Sequence, residues 1–488
     1  MVEKARLAKI VGADGVTSQP DVLAKYARDV SFVNPVKPAC IVKPKSAKEV
    51  EKIVRLANKT NTPLVPVSSG PPHFRGDTVP GIGGAVVVDL SGMKKIIRID
   101  RKNRVIMCEP GVTYGELIPA AAREGLRLNM PLMPRKTKSV IGSMLEREPV
   151  IMPKYHWDIA DPLACVEVIF GNGEIFRTGA AAGPGTLEEQ WSAGGSQKEA
   201  AGPGQTSLYR VIGGAQGTMG IVTWASLRCE LVPTIKRPFV VGSDDIDKLF
   251  EFIHWIIRLR LVNECFVMNS NNLAAMMARK SQAGYEDIKG SLPTYVLLYN
   301  VAGYEYLAEE RVEYQVKDVN DVAQKVGVEP AGAIGKMTAT ELLKVVNQPS
   351  ADPYWKLRGR GACHDIFFVT IYDKIPGLIA AMYDLAIAAG YDASGMGIYL
   401  QPIMQGTNCH VEFNLFYDPS NQEEAEKVKK MSEDAVKSLE SHGAFFSRPY
   451  GDTARLVVNR DAATVEALKR VKSIFDPNNI MNPGKLCF

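Results

Sequence analysis

Three stretches of this chain crowd small residues beside a strand-forming run: Pro66-Val-Ser-Ser-Gly-Pro-Pro-His73, Ser139-Val-Ile-Gly-Ser143 and Gly213-Gly-Ala-Gln-Gly-Thr-Met-Gly-Ile-Val-Thr223. Glycine and serine let the backbone approach a ligand closely and offer N–H and hydroxyl donors to phosphate without a cationic side chain. One such loop is an ordinary turn. Three in order, with Asn482-Pro-Gly-Lys485 near the C-terminus, point to a cradle for a diphosphate. No GxGxxG follows a strand at the spacing of a Rossmann unit, so the phosphates are expected on loop backbone rather than on a helix N-terminus.

The elements that must position these loops are legible on either side. Ser46-x-x-Glu49 reads as a capping box opening a helix to about Lys59, with Val50, Ile53, Val54 and Ala57 on one face. Strands are expected at 63–67, 85–90, 96–100, 104–109, 164–170 and 221–232, with a helix from Tyr114 to Gly125. The Gly- and Ala-dense stretch 179–204 is expected to run across the surface without structure of its own. From about residue 236 strands (295–301, 365–371, 408–416) alternate with long helices, and the amphipathic helix 422–441 is closed by Gly443 at C′. The segment from about Ala444 carries one more helix, 462–475. The expected organisation is a ligand-binding domain over 1–235, a cap over 236–443, and a C-terminal return over 444–488.

Bulk properties narrow the class. A chain of 488 residues exceeds one ordinary core. Its net charge of +4, with no basic tail, argues against a nucleic-acid partner. The eight cysteines are scattered without a CxxC pair, which excludes a ferredoxin module or zinc ribbon and leaves a reducing, cytoplasmic setting as the expectation. Met1 to Gly12 is charged where a secretory signal would be apolar, and the most apolar helix, 249–262, is interrupted by Glu251, His254, Arg258 and Arg260, so no membrane span is expected.

Residues 38–230, together with Asp476-Pro-Asn-Asn-Ile-Met-Asn-Pro-Gly-Lys485, resemble the FAD-binding fold of the vanillyl-alcohol oxidase and p-cresol methylhydroxylase superfamily. Gly84-Ala-Val-Val-Val-Asp-Leu90, Cys108-Glu-Pro-Gly-Val-Thr-Tyr114 and Gly217-Thr-Met-Gly-Ile-Val-Thr223 carry the likeness. It implies an α+β fold: a PCMH-type FAD-binding domain of two α+β subdomains, plus an α+β cap with an antiparallel sheet. It also implies a cofactor site. Pro66, Ser68, Ser69, Gly70, Pro71 and His73 would lie at the pyrophosphate loop, and Pro134, Ser139, Ile141, Gly142 and Ser143 near the flavin. Gly217, Gly220, Ile221 and Val222 would meet the isoalloxazine edge, with Asn482 and Lys485 completing the set.

Ser139 to Arg147, Val166 to Gly179, Pro184-Gly185 and Phe446-Ser-Arg448 resemble the branch that oxidises para-substituted phenols. There two tyrosines and an arginine surround a phenolate. Arg448 matches the arginine, but the tyrosine positions fall near Pro72 and Ser447, and the family's acid falls near Pro134 or Arg135. The cations Arg135, Lys136 and Lys138 there suggest an anionic group in the pocket; a solvated surface stretch is the alternative. His364 lies in a segment resembling one from which some members attach FAD covalently, so it is a candidate tether as well as a candidate structural histidine. His410 stands where D-2-hydroxy-acid dehydrogenases of the wider superfamily have a paired-histidine metal site, but Ile403 occupies the other position, so no metal site is expected. Tyr155, beside His156, is a candidate for substrate contact.

The expectation is an FAD-dependent oxidoreductase passing hydride from a small aromatic alcohol or 4-alkylphenol to flavin, with Arg448 as anion clamp and His410 as the candidate base. Alternatives are a D-2-hydroxy-acid (lactate or glycolate) dehydrogenase and a flavin subunit of a larger electron-transfer complex. Expected partners are a small, anionic substrate, a separate electron acceptor (oxygen, a cytochrome or an iron–sulfur protein) and further copies of the chain as a homo-oligomer.

Overall fold

The computed structural model describes residues 4–153, 162–202, 207–278 and 282–488. Three sheets organise them. In the first, strands Cys40–Val42, Val86–Asp89 and Leu64–Val67 run parallel, and Val16–Thr17 pairs antiparallel at one edge. All four residues of Val86–Asp89 are buried, as befits a parallel strand covered on both faces. Helix Ala47–Thr60 packs there through Val50, Ile53, Val54 and Ala57; the Ser46 hydroxyl caps it and Asn61 closes it in the left-handed region, at φ 49°. The C-terminal segment returns to this layer. The Leu64 amide donates to Ile480 O at 2.7 Å and the Asn482 amide donates to Leu64 O at 2.8 Å.

The second sheet is antiparallel, with the long strand Gly220–Leu231 at its centre between Val105–Cys108 and Leu163–Phe170; Ile96–Asp100 and Ile175–Arg177 lie outside these. Leu126–Leu128 pairs with the far end of Gly220–Leu231. Helix Tyr114–Arg123, opened by a Thr113–Glu116 capping box, covers one face. Residues 179–202 depart from the expected plain crossing. They contain the 3-10 turn Gly179–Ala182 and the helix Leu187–Ser192, because Thr186 and Glu189 form a capping box that nucleates it.

The third sheet opens at Ile235 and is antiparallel throughout. Its spatial order is Ile235–Ser243, Tyr295–Gly303, Cys265–Asn269, Gly397–Ile403, Asn408–Tyr417, Ala362–Thr370. Successive residues of a strand face opposite ways. Val411, Phe413 and Leu415 therefore enter the core beneath helices such as Ile246–Arg258 and Gln422–Ser441. His410, Glu412 and Asn414 face the opposite side, in register with Gln401, Tyr399 and Asp365 of the neighbouring strands. Helix Gln422–Ser441 ends where expected, with Gly443 at φ 97°. Among the described residues no helix is long and apolar enough to cross a membrane.

Candidate active site

A cavity of about 220 Å³ lies where the loops of the first two layers meet the polar face of the third sheet. Its floor is built by the three small-residue stretches. Ser69 Oγ accepts from the Ser139 amide at 2.8 Å, and Ser139 Oγ accepts from the Gly142 amide at 2.9 Å, so the first two loops are bonded to each other. A Cβ at Gly142 would stand 2.8 Å from Ser68 Oγ. Gly217 sits at φ 73°, and a Cβ there would come within 2.5 Å of Pro66 Cγ. The C-terminal segment ties the first and third loops together: Asn482 Nδ2 donates to Asp77 O (2.9 Å) and Gln216 O (2.7 Å), and Lys485 Nζ donates to Gly76 O at 2.7 Å.

Charge is dense around the cavity and mostly internally paired. Arg75 and Lys138 each bond both Glu146 and Glu148, at 2.7–2.9 Å. Burial pushes the Glu148 carboxyl up, but Lys138, Arg75 and the Ser143 hydroxyl outweigh it and hold it well below the usual range. On the cap side Lys356 Nζ donates to Asp365 (2.7 Å) and Glu412 (2.6 Å), and Asn414 donates to both acids at 2.7 Å. Asp77 also lines the cavity, its carboxyl raised to about 6, chiefly by burial and then by Glu146.

Arg448 differs from Lys356. It is 4% exposed, its one hydrogen bond is a long contact to Glu146 O at 3.4 Å, and its guanidinium lies 4.5 Å from the centroid of Phe367. It pairs with no carboxylate among the described residues. Burial, then the nearby Arg75, push its pKa down to about 10, which leaves it a cation at neutral pH. Tyr354, Trp355, Tyr399 and Tyr450 complete an aromatic lining.

Comparison with known proteins decides the family. Residues 38–179 match the FAD binding domain family, and residues 239–486 match the C-terminal domain of FAD linked oxidases. The chain belongs to the FAD-linked oxidases. The flavoprotein subunit of the hydroxylating 4-cresol dehydrogenase of Pseudomonas putida is 23% identical over 98% of this chain and 93% of its own. The D-2-hydroxyglutarate dehydrogenase of Stutzerimonas stutzeri is 25% identical over 98% and 97%. The structure of p-cresol methylhydroxylase with substrate bound superposes with a TM-score of 0.83, at 19% identity over 98% of this chain and 95% of that one. The protein is thus an FAD-linked oxidoreductase with the PCMH-type fold.

The cavity of this FAD-linked oxidase fits its cofactor. Among the described residues, the amides of Ser69 and Phe74, both of the lining, donate to no protein acceptor. His73 Nε2 and Thr78 Oγ1 are buried in the lining without partners. Burial, then Arg135 and Lys138, lower the His73 pKa to about 3, so this imidazole is neutral. Unpartnered donors beside glycine-lined walls are what a diphosphate requires. Of the expected contacts, Pro66, Ser68, Ser69, His73, Pro134 and Ile141 line the cavity, as do Gly142, Gly217, Gly220, Ile221 and Val222.

Others are placed differently. Ser139 braces the loops from behind, and Ser143 donates its hydroxyl to Glu148. Gly70 offers its carbonyl to Arg135, Pro71 is exposed, and Asn482 and Lys485 act as clamps on the loops. His364, the candidate tether or structural histidine, is not among the residues that line this cavity. It shares the face of Ile366 and Phe368 beneath the helices, opposite Cys363 and Asp365 of the cavity, and lines an adjoining 70 Å³ space beside Phe32 that has Arg448 and Tyr450 in common with the cavity. His410, the candidate base, is buried behind Glu412. It is 1% exposed, lies outside the lining, and sets Nε2 3.5 Å from Glu412 Oε2, at the limit of a hydrogen bond. Burial holds it neutral. Tyr155 lies outside the described residues.

Of the cationic stretch, Arg135 and Lys138 line the cavity while Lys136 is exposed. Sequence reasoning missed Arg75, Lys356, Asp365, Tyr399 and Glu412. For the last three a signal existed, since polar residues at alternate positions of an otherwise apolar strand mark a face turned toward a site.

Proposed function

We propose that this FAD-linked oxidase dehydrogenates a small aromatic alcohol or 4-alkylphenol, held as its phenolate by Arg448. The observation that carries the reading is a buried guanidinium without a carboxylate among the described residues, stacked on Phe367 and opening into an aromatic-lined cavity. A cation in a water-poor site lowers the pKa of an oxygen set against it, so a phenol binds there ionised. Ionisation pushes electron density through the para ring carbon to its substituent and weakens the C–H bond of the benzylic carbon toward loss as hydride.

Bound over Gly142, Ile221 and Val222, FAD would supply the two-electron acceptor. Arg448 orients the ring by a directed, charge-assisted bond, while Tyr354, Tyr399 and Phe367 keep water away from it. Glu412 and Asp365, the cap carboxylates in the lining, both accept from Lys356, which holds Glu412 ionised and makes it a weak base. The 4-cresol dehydrogenase relative supports the phenol reading.

A second reading, a D-2-hydroxy-acid dehydrogenase, is favoured by the cationic wall of Arg135 and Lys138 and by the D-2-hydroxyglutarate dehydrogenase relative. Anaerobic addition of 4-hydroxybenzyl alcohol, D-lactate or glycolate to the flavin-loaded protein separates the two. Bleaching by the aromatic alcohol alone is expected; bleaching by a hydroxy acid alone refutes the phenol reading. Reoxidation in air then distinguishes an oxidase from a dehydrogenase that needs a carrier.

A further inference from the structure

Five carboxyls line the cavity: Asp77, Glu146, Glu148, Asp365 and Glu412. Four of them are tied. Glu146 and Glu148 bond Arg75 and Lys138, and Asp365 and Glu412 bond Lys356. Asp77 alone joins no ion pair, and its carboxyl accepts no hydrogen bond, among the described residues. Its backbone, by contrast, is clamped. Asp29 Oδ2 accepts from the Gly76 amide at 2.6 Å, Lys485 Nζ donates to Gly76 O at 2.7 Å, and Asn482 Nδ2 donates to Asp77 O at 2.9 Å. The loop fixes where this carboxyl stands and leaves its oxygens unspent.

The surrounding groups set its charge. Burial, then Glu146 and Asp29, raise its pKa to about 6, against the pull of Arg75 and Lys138. Lys485 has its ammonium committed to Gly76 O. On the far wall Tyr450 is pushed up by burial and then by Glu146, with Arg75, Asp77 and Arg448 also acting on it. The unpaired carboxyl and the Arg448 guanidinium therefore stand near one tyrosine. A carboxylate repels a diphosphate, which assigns this one to the substrate end of the cavity.

We infer that Asp77 takes the hydroxyl proton when an alcohol is oxidised. The inference rests on the phenolate reading, which puts the ring oxygen at Arg448 and leaves the carbinol proton unassigned. Glu412 is held well below its ordinary range by Lys356, and Asp365 is engaged by Lys356 and Asn414. As the benzylic C–H bond gives up its hydride to bound FAD, the O–H bond breaks. Its electron pair forms the second C–O bond of the aldehyde, and its proton passes to the Asp77 carboxylate and then to solvent. A base is most effective when its pKa lies near the working pH. A 4-alkylphenol lacks that hydroxyl: the phenolate's own electrons make good the lost hydride, a quinone methide results, and no proton moves in that step.

The test compares anaerobic stopped-flow reduction of the flavin by 4-hydroxybenzyl alcohol and by 4-ethylphenol, in the unmodified protein and in D77N. At pH 8 the ratio of limiting rates, alcohol over alkylphenol, is expected to fall about tenfold or more in D77N; the usual 100-fold of a general base is reduced because the phenolate already pushes. In the unmodified protein that ratio rises with pH and levels off above about pH 6, where the carboxyl is ionised, and in D77N it is flat. FAD affinity, titrated on the apoprotein, stays the same. A ratio unmoved by D77N overturns the inference. So does a shift in FAD affinity, which would place the carboxyl at the cofactor.

Should D77N not fold, the pH series of the unmodified protein decides, and a ratio constant from pH 5 to pH 8 overturns the inference. If both phenols reduce the flavin but the ratio ignores pH and D77N, only this inference fails. If neither reduces it, the phenolate reading fails with it.

Discussion

Replacing Arg448 by methionine keeps an unbranched apolar stem but shortens the side chain and removes both the charge and the guanidinium contact with Phe367. Folding should hardly notice. The guanidinium has one long hydrogen bond, 3.4 Å to Glu146 O, and no carboxylate among the described residues. The lost cation–π contact with Phe367, about 1–2 kcal/mol, is offset by no longer burying a charge. Substrate binding should notice strongly. A charged pair in a desolvated site is worth about 3 kcal/mol, so kcat/KM for 4-hydroxybenzyl alcohol is expected to fall about 100-fold or more. FAD content and Tm should stay close to those of the unmodified protein. Steady-state kinetics, the flavin-to-protein absorbance ratio and thermal melts report the three quantities. Equal losses of activity and flavin, or unchanged kcat/KM, would refute the assignment of Arg448 to the substrate.

Other expectations follow from the same geometry. Gly217→Ala adds a Cβ 2.5 Å from Pro66 Cγ to a backbone at φ 73°, so FAD affinity measured by titration of the apoprotein should drop about tenfold or more. Lys356→Met leaves the buried Glu412 and the part-buried Asp365 without their cation and should destabilise the cap by about 3 kcal/mol at pH 8. In the unmodified protein Glu412 is pushed up by burial but held well below its ordinary value by Lys356, so its contribution is present above the unfolded carboxylate pKa and fades as pH falls. In the variant protonation relieves the unpaired acids, so the gap in Tm between the two proteins should narrow from pH 8 to pH 5; a constant gap would count against the pairing.

Much of the fold was legible because its signals are local. The Ser46 capping box, the apolar stripe of helix Ala47–Thr60 and the buried run at 86–89 are each written in a few adjacent residues. The three small-residue loops were legible for the same reason, and they meet in one cavity through bonds such as Ser139 N to Ser69 Oγ. The cap side was harder to read. Arg75 stands in the first loop, yet its role depends on Glu146 and Glu148, more than 70 residues away. Lys356 sits in a short 3-10 turn, and only the fold carries it to Glu412. His364 and His410 looked alike in sequence as imidazoles on strands. One faces the helices, and the other lies behind Glu412. The Thr186–Glu189 box was overlooked because glycine and alanine on both sides mask so short a helix.

The charge state of a bound phenol tests the central claim most directly. Free phenols ionise near pH ~10, and phenolate absorbs at longer ultraviolet wavelength than the neutral form. A difference spectrum recorded at pH 7 with a non-oxidisable phenol should show the phenolate band at full occupancy and lose it in the Arg448→Met protein. A neutral-phenol spectrum at saturation, or a phenolate band that survives the substitution, would contradict an anion site built on Arg448.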